Sequence, residues 1–234
     1  MAFDHGSRSR LGPRDVGRFA TDSLFDRVGR VVCEAHCLPR KELYEAWEVA
    51  RRARRRFRGG RVLDLACGHG LLAHLLLLLD DGSPKAIAID VELPASAAKL
   101  HEALCAHWPR LVGRVELRVA RLEDVVVEPG DLIVSAHACG ALTDRVLDLV
   151  IAGSARVAVL PCCHDETTCD VGSLRGWLDV PTAIDATRVA RLRASGHRVH
   201  TQTIPAAITP KNRLLLAEPA QQPRSTEMRV ASSP

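Results

Sequence analysis

The stretch RVLDLACGHG, Arg61 to Gly70, constrains the fold of this chain more than any other. Arg61-Val62-Leu63-Asp64-Leu65 is long enough for one buried parallel strand, and it meets the glycine-rich turn Ala66-Cys67-Gly68-His69-Gly70. Leu71 to Leu79, a run of strong helix formers, follows and stops at Asp80-Asp81-Gly82-Ser83-Pro84. A second buried-strand pattern, Lys85-Ala86-Ile87-Ala88-Ile89-Asp90, comes next. Strand, Gly-x-Gly turn, helix and strand make a nucleotide-binding βαβ unit. The glycines let the backbone approach a ligand, and the helix N-terminus offers free N–H groups. An acid closing the second strand, as Asp90 does, can accept both hydroxyls of a ribose.

The dinucleotide pattern wants a small residue near Ala73, which is present, but Asp64 lies inside the strand just before the turn. An acid there suits a cationic amino-acid end better than a pyrophosphate, whose charge it would repel. That favours S-adenosylmethionine (SAM) over a nicotinamide cofactor, which stays as the alternative. VLDLACGHG followed by AIAID resembles motifs I and II of the class I SAM-dependent methyltransferases. The resemblance implies that Asp64, Cys67, Gly68 and Gly70 cradle the methionine moiety and Asp90 the ribose. In many such enzymes an acid just after the third strand faces the adenine amine. Here Arg121 holds that place, and Glu123 is the expected contact.

Residues 1–14 carry turn formers and arginines without an apolar period, so a flexible arm is expected. An amphipathic helix from Val16 to about Cys37 and a second from about Arg40 to Phe57, ended by Gly59-Gly60, read as an N-terminal helical cap over 15–58. Further strands are expected at Arg114–Ala120, Asp131–Ala136 and Ala155–Leu160, with helices at Pro94–His107, Leu142–Ile151 and Pro181–Ser195. Arg198–Ile204 and Arg213–Ala217 should close as an antiparallel pair, and Asp165–Val180 as a polar loop or lid. The expected architecture is α/β: a Rossmann-like, seven-stranded, mostly parallel sheet, with the methyltransferase domain over 59–218 and a disordered tail over 219–234.

Composition narrows the class. With 47% hydrophobic residues in 234, the chain can bury one domain. No apolar run reaches the roughly 18 residues of a membrane span. No secretory leader pattern precedes the eight cysteines, so free thiols in a reducing, cytoplasmic setting are expected. The net charge of +4 allows RNA as a partner without demanding it. The second helix and its end carry Arg51, Arg52, Arg54, Arg55, Arg56 and Arg58, either a solvated face or an RNA phosphate contact through Arg51, Arg52, Arg55 and Arg56. A small-molecule substrate closed in by Tyr44, Trp47 and the sheet rim is the alternative.

The expected strand ends are rich in sulfur and imidazole: Cys67 and His69, then His137 and Cys139, then Cys162, Cys163 and His164. Three readings compete. His137 or His164 could accept a proton during methyl transfer to oxygen or nitrogen. Cysteine with histidine suits zinc, but neither cluster has a C-x2-C spacing, and no metal is expected. Cysteine is also a small hydrophobe that packs where backbone passes close to a ligand.

SAHACGALTD (Ser135 to Asp144) with LPCCH (Leu160 to His164) resembles the paired signature of a distinct methyltransferase group. That group includes the eukaryotic tRNA 2′-O-methyltransferase of the acceptor stem. The pair is also similar to the methyltransferase-like domain of glutathione S-transferase C-terminal domain-containing proteins. The resemblance implies that Ser135, His137 and Cys139 shape the methyl-transfer position, with Cys162, Cys163 and His164 beside it. The zinc-binding N-terminal segment of the tRNA enzyme has no counterpart in this sequence. A non-catalytic interaction module on the same fold is the remaining alternative.

Overall fold

Short β-rich runs alternating with apolar helices dictate a sheet covered on both faces. The structure, a computed structural model, describes residues 4–220. Within them, β1 (Val62–Leu65), β2 (Ala86–Asp90), β3 (Val115–Val119), β4 (Leu132–Ser135), β5 (Arg156–Val159), β6 (His197–Thr203) and β7 (Arg213–Pro219) form a seven-stranded sheet. Its order is β3-β2-β1-β4-β5-β7-β6. The first five strands are parallel, and β7 runs antiparallel to both β5 and β6. The order reverses between β1 and β4. Open sheets of this type bind ligands in the crevice beyond the carboxyl ends of the strands at such a reversal.

Alternate residues of each strand serve opposite faces, because successive side chains point opposite ways. Val62, Ala86, Ala88, Val134 and Ala158 join one buried cluster with α1 (Leu24–Ala35), α2 (Arg40–Arg56), α3 (Leu71–Leu78) and α4 (Ala95–His107). Leu63, Ile87, Ile133 and Val157 join the other with α5 (Ala141–Ala152) and α6 (Val180–Ala194). All of α3 is buried, which is why its sequence is apolar all round.

Three expectations change. The helices of 15–58 fill one face of the sheet as part of the main core, so α2 is a layer of the fold, and only its N-terminal end reaches the strand rim. The single expected first helix divides into a 3-10 turn at Pro13–Arg18 and α1. The Ser23 hydroxyl accepts the Asp26 N–H at 3.1 Å and starts α1 there. Residues 4–14, expected as a flexible arm, are tied down. Leu11 is fully buried and donates its N–H to Leu38 at 2.9 Å, and Arg10 bridges to Pro39. The tail expected over 219–234 begins in ordered structure, since Pro219 ends β7 opposite His197 and the Ala220 N–H donates to the Gly196 carbonyl at 2.8 Å; the rest lies outside the described residues.

Among the described residues no helix is long and apolar enough to cross a membrane.

Candidate active site

The turn after β1 makes the centre of the site. Ala66, Gly68 and Gly70 all adopt positive φ (53°, 55° and 72°), folding the backbone sharply between strand and helix. Gly70 takes φ 72°, and a Cβ there would sit a tight 3.0 Å from the Ala88 and Leu117 side chains, so both conformation and space favour glycine. A Cβ on Gly68 would meet nothing within 4 Å, so this part of the turn faces open space.

Asp64 sits beneath the turn with 1% of its surface exposed. One carboxylate oxygen accepts the Ala73 N–H at 3.1 Å. Burial pushes its carboxyl well above the usual carboxylate range, against the Ala73 hydrogen bond and with help from the nearby Asp90 charge. It lines a narrow cavity with Cys67, His69, Glu42 and His137. Burial likewise pushes the Cys67 thiol up. Burial lowers the affinity of His69 for a proton, partly offset by Glu42, whose carboxylate is 3.9 Å away.

Asp90 closes β2 and faces the same turn. Its two oxygens accept the N–H groups of Gly68 at 2.9 Å and Val91 at 2.8 Å. A carboxylate has about four lone-pair sites, so each oxygen keeps capacity for a hydroxyl. Beyond it, a groove is lined by Val91, Ala120, Arg121, Glu123 and Arg145. Glu123 stands in this groove as expected, but its carboxylate is engaged by Arg145. Cavity and groove together run along the ends of β1, β2 and β3.

The β4 end supplies Ser135, whose hydroxyl accepts the Ala138 N–H at 3.2 Å and shapes the following loop. His137 from that loop lines the Asp64 cavity. Cys139 is exposed and meets Cys162 and Cys163, with sulfur separations of 3.0 and 3.2 Å. His164 is not brought to the cavity. Its Nε2 lies 2.9 Å from Asp185 on α6, in a network where Arg188 and Arg213 also hold Asp185.

The family of the chain follows from this frame. The family described as a methyltransferase domain matches residues 41–170, more than half of the chain. The chain belongs to this methyltransferase family. The match begins at the start of α2 and takes in the β1 turn, Asp90, His137 and all three clustered cysteines.

No curated protein matches the sequence. Among solved structures, an O-methyltransferase family protein from Burkholderia thailandensis is 18% identical over 88% of this chain and 63% of its own, with a TM-score of 0.51. Mitomycin 7-O-methyltransferase is 18% identical over 90% of this chain and 64% of its own, at 0.51. The tRNA methyltransferase TrmK of B. subtilis is 17% identical over 75% and 65%, at 0.51. The chain thus spans a little under two thirds of each of these three proteins. At such identities they show the fold, that of the class I methyltransferases, with the parallel core and closing antiparallel pair read from the sequence.

The remaining expected residues stand away from the cavity. Tyr44 and Trp47 pack on Phe25 of α1, with ring centroids 5.1 Å apart in each case. Arg51 and Arg52 pair with Glu48, and Arg56 with Glu218. Arg55 is exposed. Sequence reasoning missed Glu42, which comes to the rim only because the N-terminal end of α2 lies over the β1 turn. His69 was visible as a strand-end residue, but only packing shows that it shares a cavity with His137.

Proposed function

We propose that this methyltransferase uses SAM and transfers its methyl group to an oxygen or nitrogen of its substrate. The observation that carries the reading is Asp64, a buried carboxyl with one N–H partner beside a cavity, a place a cationic ligand would complete. The residues fit the cofactor. Asp64, Cys67, Gly68 and Gly70 would hold the methionine end, Asp90 the ribose hydroxyls, and Glu123 would stand beside the adenine, with Ser135 shaping the loop at the transfer position. SAM supplies an activated methyl on a sulfonium. His137, lining the Asp64 cavity, would take a proton from the attacking group, whereas the His164 nitrogen facing Asp185 is already engaged.

Two substrate classes have support. The paired SAHACGALTD and LPCCH segments resemble a group that includes a tRNA 2′-O-methyltransferase, which favours RNA. The placement of the arginines favours a small molecule. From Glu42 at the rim to Arg56, α2 runs about 20 Å, so its arginine-rich end is at the opposite edge of the sheet. A cytoplasmic setting fits either substrate and agrees with eight free cysteines.

The test is transfer of labelled methyl from SAM into the RNA and small-molecule fractions of a host extract, with Asp64→Ala and Asp90→Ala as controls. Label that both substitutions abolish supports the reading, and the labelled fraction names the substrate class. SAM affinity unchanged in Asp90→Ala would remove the ribose assignment. SAM binding without any labelled product would favour a non-catalytic module.

A further inference from the structure

Three thiols meet at the rim, brought from two strand ends. Cys139 lies on the loop between β4 and α5. Cys162 and Cys163 follow β5, which pairs with β4 in the register Ser135↔Val159. The Sγ separations are 3.0 Å (Cys139–Cys162), 3.2 Å (Cys139–Cys163) and 3.7 Å (Cys162–Cys163). The missing C-x2-C spacing is thus supplied by strand pairing instead of by sequence. We infer that Cys139, Cys162 and Cys163 form a zinc site, with its fourth position open towards solvent at the rim.

Packing does not account for the cluster. A cysteine used as a small hydrophobe is surrounded by carbon, whereas Cys139 is exposed and the other two are half-buried. A disulfide does not account for it either, since it would join two sulfurs and leave the third. Three soft ligands converging on one point suit a thiophilic ion, zinc above all. Zinc–sulfur bonds of about 2.3 Å in a tetrahedron set the sulfurs about 3.8 Å apart, so the triangle need open by less than about 1 Å. Lys211 and Lys41 lie close enough to offset part of the negative charge of three thiolates. Binding would release the thiol protons to solvent, because only the thiolates are ligands.

A buried network fixes the two loops that carry these ligands. Arg188, 1% exposed, donates to the Gly140 carbonyl at 3.0 Å, one residue after Cys139. It also pairs with Asp144 and Asp185. Asp185 in turn holds His164, one residue after Cys163. The Thr143 hydroxyl donates to the Ala138 carbonyl at 2.6 Å. Outer groups that orient the ligand loops in this way are what a metal centre needs. With three protein ligands, zinc keeps its fourth position for water or for a substrate atom, unlike a closed four-ligand structural site.

The inference does not depend on SAM, and its test needs no turnover. The full chain, purified under reducing conditions, is expected to hold one zinc per chain. Cobalt in its place should give sulfur-to-metal charge-transfer bands and the strong visible bands of a tetrahedral site. Cys139→Ser should weaken zinc binding at least about tenfold, while Cys105→Ser, on α4 and outside the cluster, should not change it. As a readout without substitution, zinc should protect three of the eight thiols from alkylation. Failure to retain zinc together with an octahedral cobalt spectrum would overturn the inference. So would equal binding by Cys139→Ser and wild type, or a Cys139–Cys162 disulfide whose reduction brings no metal uptake.

Discussion

The two edges of the sheet differ in which groups they leave short of partners. At the edge where the parallel strands begin, buried charge is matched. Arg54 on α2, 2% exposed, donates to the Leu76 carbonyl at 3.0 Å and the Ser83 hydroxyl at 2.8 Å, and pairs with Asp80 at 3.0 Å. Burial lowers the Arg54 pKa to about 10, against the pull of Asp80. Burial also works against the Asp80 carboxylate, but the Gly59 N–H and Arg54 outweigh it and hold its pKa below the usual value. Arg61 pairs with Asp131 at 2.7 Å, and Arg156 donates to the carbonyls of Arg58 and Gly59 at 2.8 Å. At the opposite rim the Arg188, Asp144 and Asp185 network is matched too, but Asp64 has one N–H donor and the three thiols have chiefly each other. Matched groups complete the fold. Groups left short of partners mark where something else is to bind.

The largest effect should come from unmatching the first edge. Arg54→Met leaves Asp80 buried without its cation and should cost about 3–5 kcal/mol of stability, since breaking one partner of a buried pair is more damaging than replacing both. Thermal unfolding should show a fall of about 10 °C for a chain of this size. An unchanged melting temperature would break the comparison.

Unmatching is already the native condition at the rim, so Asp64→Asn should do the reverse. SAM affinity should fall on the order of 10²-fold, the loss of a charged hydrogen bond, with titration calorimetry as the measurement. Stability without SAM should not fall. Burial raises the Asp64 pKa in the folded chain, so the folded state keeps a proton that the unfolded state has released. Its contribution to stability therefore declines as pH rises from the unfolded carboxyl value of about 4 through the raised folded one. Asparagine removes that decline, and the melting temperature of the variant relative to wild type should climb over the same range. A variant less stable than wild type at every pH would put Asp64 among the structural charges.

The same contrast explains what was legible in the sequence. Asp64, the glycine turn and Asp90 are local: strand, turn and helix propensities place them within one βαβ unit, and the mostly parallel sheet follows from strand and helix alternation. Pairings across the fold are not local. Nothing in the spacing of Cys139 and Cys162 says that their sulfurs lie 3.0 Å apart, because that depends on the β4–β5 register. His137 and His164 look alike in sequence, each adjacent to cysteine-bearing strand ends, yet α6 supplies Asp185 to His164. The arginines of α2 read as one basic face, but Arg54 turns into the core and Arg56 reaches Glu218 on β7.

The two histidines give a sharper test within the rim. His137→Ala should lower the methyl-transfer rate about 10²-fold, the usual size of a lost proton acceptor, with SAM affinity little changed. His164→Ala should act chiefly through the Asp185 network, lowering the melting temperature with a rate loss below about tenfold. Equal rate losses in single-turnover measurements would mean that the Asp185 contact is released when substrate binds.

The smallest effects are expected at the exposed arginines, where the comparison is most easily reversed. Arg56 and Glu218 are both partly exposed, and Arg56→Gln should change stability by less than about 1 kcal/mol, as for other surface pairs. Replacing Arg51, Arg52, Arg55 and Arg56 together by glutamine should leave methyl transfer unchanged, because these positions lie about 14 to 20 Å along α2 from Glu42 at the rim. If these arginines instead hold RNA phosphates, the quadruple variant should lose affinity for RNA, and the slope of log affinity against log salt should flatten by about one for each lost contact. A flattened slope with intact thermal stability would make the matched edge a binding surface, its carboxylates keeping the arginines in place for a polyanion that reaches around the sheet to the rim.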